Sequence, residues 1–285
     1  MAHVAFLGTG LIGAGMIEGL RKRGERVRVW NRTADKARAL EPLGVEVSAT
    51  AAEAVRGAGR VHIAVSDDAA VDSVLASIDG ALDVQTPLID HTTTSPAGTA
   101  ARYASLTARG VAFLHAPVFM SPQACRESTG IMLASGPRGR FEALEHSLRP
   151  MTGNLWWLGE RPDLAASFKL FGNAMILTIT GGVADILTLA RSLDVSGTDA
   201  LTLFTQFKPA STIDIRGKRM ALGDFSPSFE LTMARKDLRL MLETAASTDA
   251  PLTVLPALAA RFDELVERGY GSSDVGVVAV DAVRK

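Results

Sequence analysis

Along the first third of the chain, short runs of apolar and β-branched residues recur between stretches with helical spacing. His3–Leu7, Arg26–Trp30, Val45–Val47, Val61–Val65, Leu88–Asp90 and Ala112–His115 are the strand candidates. Most are apolar at successive positions instead of alternating, the pattern of strands covered on both faces. Strands that alternate with helices predict βαβ units around a mostly parallel sheet. Two further runs, Ile131–Ser135 and Leu155–Leu158, are expected to finish that sheet.

From about Leu164 the pattern changes. The segment from Leu164 to Val195 carries an apolar helical pattern far beyond an average helix and is expected to be an interdomain helix. The remainder of the chain, punctuated by Pro209, Gly223, Pro227, Pro251 and Gly269, reads as helices joined by short loops. The expected fold class is therefore α/β, with a doubly wound parallel sheet over residues 1–163 and an all-helical domain over residues 164–285. The length of 285 residues, above that of one typical domain, agrees with two.

Composition narrows the function classes. Lys plus Arg number 30 against 31 Asp plus Glu, so no long-range field selects nucleic acid or an anionic membrane as partner. The single cysteine, Cys125, excludes an intrachain disulfide and a thiolate metal site, which fits a reducing, cytoplasmic setting. The start, MAHVAFLGTG, lacks the shape of a signal peptide, and no unbroken run approaches the roughly 18 apolar residues of a membrane span. The five histidines show no metal-ligand spacing, and a Gly-x-Ser-x-Gly nucleophile elbow is absent, so neither a metal centre nor a serine hydrolase is expected.

Local chemistry is concentrated after the first strand, in Gly8-Thr9-Gly10-Leu11-Ile12-Gly13. There Gly8 permits a tight turn, Gly10 lets backbone approach a pyrophosphate, and Gly13 allows close packing of helix on strand. The helix opened by Leu11 and Ile12 turns its N–H groups and dipole toward negative charge. A second strand at the proper distance completes the context of a Rossmann-type dinucleotide site. At the end of that strand, Asn31-Arg32-Thr33 holds no acid for an NAD ribose. Arg32 could instead pair with a 2′-phosphate and Thr33 could add a hydroxyl, so NADP(H) is the expected cofactor. The alternative reading of Arg32 is a solvated turn residue.

These motifs, with Asp90-His91-Thr92-Thr93-Thr94-Ser95-Pro96, His115-Ala116-Pro117-Val118, Lys169 with Asn173, and Lys236-Asp237-Leu238, resemble the β-hydroxyacid dehydrogenase family. That family includes 3-hydroxyisobutyrate dehydrogenases and the glyoxylate and succinic semialdehyde reductases. The resemblance implies a cofactor domain followed by a helical one, with the active site on the long connecting helix. It implies that Lys169 is general acid in carbonyl reduction and general base in alcohol oxidation, with Asn173 orienting the substrate. The spacing of four puts the two on one helix face. It further implies that Thr93 meets nicotinamide and substrate, that Val65, Ser66 and Asp67 run under the cofactor, and that Lys236 closes on substrate or cofactor. Homodimers or homotetramers are implied through the helical domains. Thr92 could be a contact or a helix cap, and Lys169 could be a lysine snorkelling to water.

One stretch departs from the family pattern Ala-Pro-Val-Ser-Gly-Gly. Here it reads Ala116-Pro117-Val118-Phe119-Met120-Ser121, which replaces a hydroxyl and a glycine with apolar bulk and leaves Ser121 as the polar candidate. The expected substrates are small aldehydes, ketones, semialdehydes or 3-oxo acids and the matching hydroxyacids. Phe119 and Met120 keep imine reduction open as an alternative, and a non-catalytic NADP(H)-sensing module is a third.

Overall fold

The computed structural model describes residues 2–246, 248 and 250–283. Six parallel strands form the main sheet: β1 (His3–Leu7), β2 (Val27–Trp30), β3 (Glu46–Val47), β4 (Ala58–Ile63), β5 (Leu88–Asp90) and β6 (Phe113–His115). Their order is β3-β2-β1-β4-β5-β6, the doubly wound arrangement expected from the apolar runs. Alternation along β1 explains the two layers of core. Val4 and Phe6 pack with Met16, Ile17 and Leu20 of the first helix, Leu11–Lys22, while Ala5 and Leu7 pack with Ala54, Ile63, Val74 and Phe113 on the other face.

Two expectations need correction. The fourth strand begins at Ala58 and ends at Ile63, whereas the apolar run predicts Val61–Val65. It ends early because the chain leaves the ladder there: the Val65 N–H donates to the Thr92 hydroxyl at 3.1 Å instead of to a strand. The last two runs do not finish the main sheet. Ile131–Ala134 (β8) and Asn154–Trp157 (β9) join Val118–Phe119 (β7) in a separate three-stranded sheet, β7-β8-β9. Pro117 is the cause, since it has no N–H to continue the ladder after β6, and its carbonyl accepts from Leu133 N of β8 at 2.9 Å.

The chain divides into two compact units, Met1–Asn173 and Ala174–Lys285, and the division falls inside the long helix, Leu164–Ser192. By length and composition this helix could cross a membrane. Counting unbroken apolar runs misses that property, because Lys169, Asn173 and several threonines are spread along it. The second unit is helical, and Leu231, Ala234 and Leu238 of helix Leu231–Ala245 pack with Ala259, Phe262 and Leu265 of helix Leu255–Leu265.

The buried Asp185 of the long helix ties the second unit together. Its carboxylate accepts from the backbone N–H of Thr253, of Val254 at 2.8 Å and of Leu255 at 2.9 Å, capping helix Leu255–Leu265 from another element. Burial alone would raise its pKa, but these three donors hold it below the ordinary carboxylate range. Asp185→Ala is expected to destabilise the protein by about 2 kcal/mol, a typical loss for charge-assisted bonds to orphaned helix amides, measured by urea unfolding. An unchanged midpoint would remove Asp185 from the account of stability.

Candidate active site

The strand order reverses between β1 and β4, and there the loops leave the carboxyl ends of the strands in opposite directions. A cleft of about 520 Å³ lies at this point, within the range of small-molecule and cofactor sites. It is lined from the loop after β1 by Gly8, Gly10, Leu11, Ile12 and Gly13, and from the end of β2 by Trp30, Asn31, Arg32 and Thr33. Val65 and Ser66 follow β4, His91, Thr92 and Thr93 follow β5, and Val118, Met120 and Lys169 also line the cleft.

The three glycines of the first loop are needed for different reasons. Gly8 has φ +105°, and a Cβ there would lie 2.1 Å from the Ala64 carbonyl oxygen. At Gly13 a Cβ would lie 2.2 Å from the Gly8 carbonyl oxygen. Gly10 has an ordinary extended backbone, φ −66° and ψ −177°, and a Cβ there would meet nothing within 4 Å. The fold therefore demands glycine at 8 and 13, whereas the space beside Gly10 stays open for a ligand. Gly8→Ala and Gly13→Ala are expected to lower the melting temperature. Gly10→Ala should leave melting unchanged yet weaken dinucleotide binding roughly tenfold or more, a loss of about 1.4 kcal/mol. Equal melting losses in all three variants would reduce the motif to a structural turn.

The first helix carries no side-chain cap and no acid in its first turn, so its N-terminal amides and dipole face the cleft without a protein partner. Beside them Asn31 braces two loops. Its Oδ1 accepts from Thr9 N at 3.0 Å, and its Nδ2 donates to the Thr33 carbonyl at 2.9 Å. Arg32 and Thr33 are exposed, and Lys36, which lies beyond the Asn31-Arg32-Thr33 motif, joins them on the cleft wall. The nearby acid Asp35 pairs with Arg38 at 2.6 Å, so it neutralises neither Arg32 nor Lys36.

The loops after β4 and β5 are fixed from behind. Thr92 accepts from Val65 N and its own N–H donates to Asp90 Oδ1 at 2.9 Å, so Thr92 mainly holds the loops together although it borders the cleft. Thr93 is exposed on the cleft wall. Ser66 lines the cleft and donates to Asp67 Oδ2 at 2.9 Å. Asp67 is not part of the lining; it caps helix Asp68–Ser77 through Ala70 N at 2.8 Å. His91 also reaches the wall, but both of its ring nitrogens are bonded, Nε2 to His62 and Nδ1 to the Ala116 carbonyl. It therefore has no free nitrogen for acid–base chemistry.

Lys169 is half-buried on the cleft wall, and burial lowers its pKa from the usual lysine value. Its Nζ lies 4.0 Å from the centre of the Phe119 ring. Met120 is buried and lines the cleft, whereas Phe119 does not line it. Ser121 caps helix Pro122–Glu127, accepting from Ala124 N at 3.1 Å. Asn173 lies one turn along the helix from Lys169, outside the cleft lining. In the second unit, Lys236 is exposed on helix Leu231–Ala245 and pairs with Asp237 at 2.9 Å.

An open face at Gly10, an uncapped helix N-terminus and two cations without acids are the features a dinucleotide phosphate requires, so these residues fit such a cofactor. Residues 3–159 match the family model of the NAD binding domain of 6-phosphogluconate dehydrogenase, and residues 165–280 match that of NAD-binding of NADP-dependent 3-hydroxyisobutyrate dehydrogenase. The chain belongs to this family of NAD(P)-binding dehydrogenases and reductases. It is 31% identical over 259 residues to cytokine-like nuclear factor N-PAC of Gallus gallus, covering 89% of this chain and 46% of that protein. The chain thus spans about half the length of the curated relatives it matches. Among solved structures, an imine reductase from Pseudomonas sp. has a TM-score of 0.90 at 22% identity, covering 99% of both chains. A reductive aminase from Aspergillus terreus in complex with NADPH and ethyl levulinate has a TM-score of 0.88 at 23% identity, covering 100% of both. At these identities the likeness is one of fold.

Proposed function

We propose that this chain is an NADPH-dependent reductase of small aldehydes and ketones, semialdehydes and 3-oxo acids among them, and that it runs in reverse as a 3-hydroxyacid dehydrogenase. The observation that carries this reading is Lys169: a half-buried ammonium on the wall of the cleft that holds the glycine loop, with no carboxylate among the described residues to neutralise it. Gly8, Gly10, Gly13 and the amides of Leu11 and Ile12 would hold the pyrophosphate, and Arg32, Thr33 and Lys36 the 2′-phosphate. Bound there, the nicotinamide supplies the two-electron reduction of the carbonyl carbon.

Lys169 does the work at oxygen. Negative charge that develops on the carbonyl oxygen is stabilised by the ammonium, which then gives up its proton to complete the alcohol. In the reverse direction the neutral amine takes the hydroxyl proton. The exposed Thr93 hydroxyl is assigned to orient the reacting oxygen, Asn173 to hold the substrate beside Lys169, and Ser121 and Lys236 to further substrate contacts.

Phe119 and Met120 favour a second reading, imine reduction or reductive amination, because they put apolar side chains where the family pattern has carboxylate donors, and Met120 lines the cleft. Comparison of NADPH oxidation with succinic semialdehyde, glyoxylate and a cyclic imine tests both. Aldehyde turnover supports carbonyl reduction. Turnover of the imine alone establishes the second reading. Tight NADPH binding without turnover of any of the three would point to a cofactor-sensing module.

The exposed apolar side chains Ile176, Leu177 and Ile179 on the long helix, with Phe207, Ile215 and Leu222, support assembly into a homodimer or homotetramer. Light scattering should give two or four chains per particle; a monomer at micromolar concentration would refute this.

A further inference from the structure

Gly172 lies well inside the long helix, where glycine lowers helix stability relative to alanine. Its φ is not positive, so the backbone does not require it. A side chain does: a Cβ at this position would lie 2.2 Å from Cζ and 2.6 Å from Cε1 of Phe119. The Phe119 backbone is fixed in turn by its pairing with Ile131 across β7 and β8. One ring is thus locked between a strand and a notch in the helix, and that ring faces the Lys169 ammonium at 4.0 Å. Lys169 lines the cleft and Phe119 does not, so the ring supports the lysine from behind.

We propose that Phe119, seated in the notch left by Gly172, is a positioning residue that holds the Lys169 ammonium at the cleft and keeps it charged. The inference rests on the reading of Lys169 as proton donor and adds the device that controls it. The electron-rich face of an aromatic ring attracts an ammonium and has no comparable attraction for the neutral amine. Burial works in the opposite sense, since it disfavours the charged form. The ring therefore offsets part of the burial effect and preserves the acid needed for carbonyl reduction.

Other charges do not supply this function. Strands β7 and β8 carry no ionisable side chain, and no carboxylate among the described residues pairs with Lys169. The loop after β5 presents His91, which burial keeps neutral, against the opposing effect of its bond to the Ala116 carbonyl. Arg32, just after β2, and Lys36, on the short helix Ala34–Arg38, are cations and would only oppose the charged form.

The direct test is the titration of Lys169 in the cofactor-free protein, followed by competitive acetylation at a series of pH values with peptide mass spectrometry. Phe119→Leu keeps the site apolar and removes the ring. Its Lys169 midpoint should fall by about one pH unit, the scale of a partly desolvated cation–π contact. Gly172→Ala, which favours the helix but displaces the ring, should lower it in the same direction. In turnover, the alkaline limb of kcat should move to lower pH in the first two variants, with KM for the aldehyde changed by less than about twofold. Native midpoints in a folded Phe119→Leu and in Gly172→Ala would overturn the proposal. If the midpoints shift as expected but Lys169→Ala turns over normally, the proton-donor reading fails while the contact stands.

Discussion

Lys169→Ala is expected to lower kcat for aldehyde reduction by roughly a hundredfold or more while leaving NADPH affinity within about twofold, the signature of a lost proton donor. The cofactor contacts come from the glycine loop and the end of β2, so removing the lysine should spare binding. Lys169→Arg separates charge from proton transfer: arginine keeps the charge but does not release its proton in any working range, so it should restore little of the rate. The direction of the pH dependence follows from the same assignment. Reduction requires the ammonium, so its rate should fall as pH rises through the burial-lowered pKa of Lys169. Oxidation requires the amine and should rise over that range. An unimpaired Lys169→Ala variant would remove the lysine from the chemistry.

The second large effect is on stability in acid. His62 on β4 and His91 after β5 are buried and stacked, with ring centres 5.2 Å apart. Arg60 Nε donates to His62 Nε2 at 3.0 Å, and an arginine cannot accept, so His62 carries its proton on Nδ1. That nitrogen donates to His91 Nε2 at 2.8 Å, and His91 Nδ1 donates to the Ala116 carbonyl at 2.7 Å. Each ring is therefore neutral in a single tautomer. An added proton on His62 would face Arg60, and one on His91 would face the His62 N–H.

Burial holds His62 well below the ordinary histidine value and lowers His91 to about 4. Because the folded values are depressed, the contribution to stability is complete above about pH 6.5 and is lost as pH falls toward 4. At pH 5 His91 alone should cost about 2 kcal/mol relative to pH 7.5, at about 1.4 kcal/mol per pH unit below its unfolded value. Asp90 acts in the opposite sense, since burial raises its pKa, and offsets part of the loss. Urea unfolding at the two pH values reads the difference directly; equal stability would mean that the histidine chain does not constrain the fold. The consequence reaches the site, because this chain anchors the loop that carries Thr93.

The glycine loop was legible in the sequence because Gly8 and Gly13 are each required by local backbone geometry and sit between a strand and a helix. Lys169 and Asn173 were legible through the resemblance to the β-hydroxyacid dehydrogenases, to which their spacing of four added only a shared helix face, and of the two only Lys169 lines the cleft. The features that escaped depend on contacts between distant segments. His62 and His91 meet only because β4 and β5 pair in parallel, and Phe119 meets Gly172 only because Pro117 sends the chain into a second sheet. Asn31, in the motif assigned to the cofactor, lines the cleft, and its side chain also accepts from Thr9 N, a use that no local pattern signals. Lys36 carried a signal in hindsight: a second lysine or arginine soon after Arg32 with its only nearby acid already paired.

The most direct test of the central claim, an NADP(H) site at the β1–β4 crevice, uses Trp30 on its wall as reporter. Tryptophan emission should show saturable energy transfer to NADPH, with NADPH bound roughly tenfold or more tighter than NADH, the scale of one charge-assisted phosphate contact. Arg32→Ala with Lys36→Ala should abolish most of that preference. Absence of saturable transfer, or NADH bound as tightly as NADPH, would contradict the account.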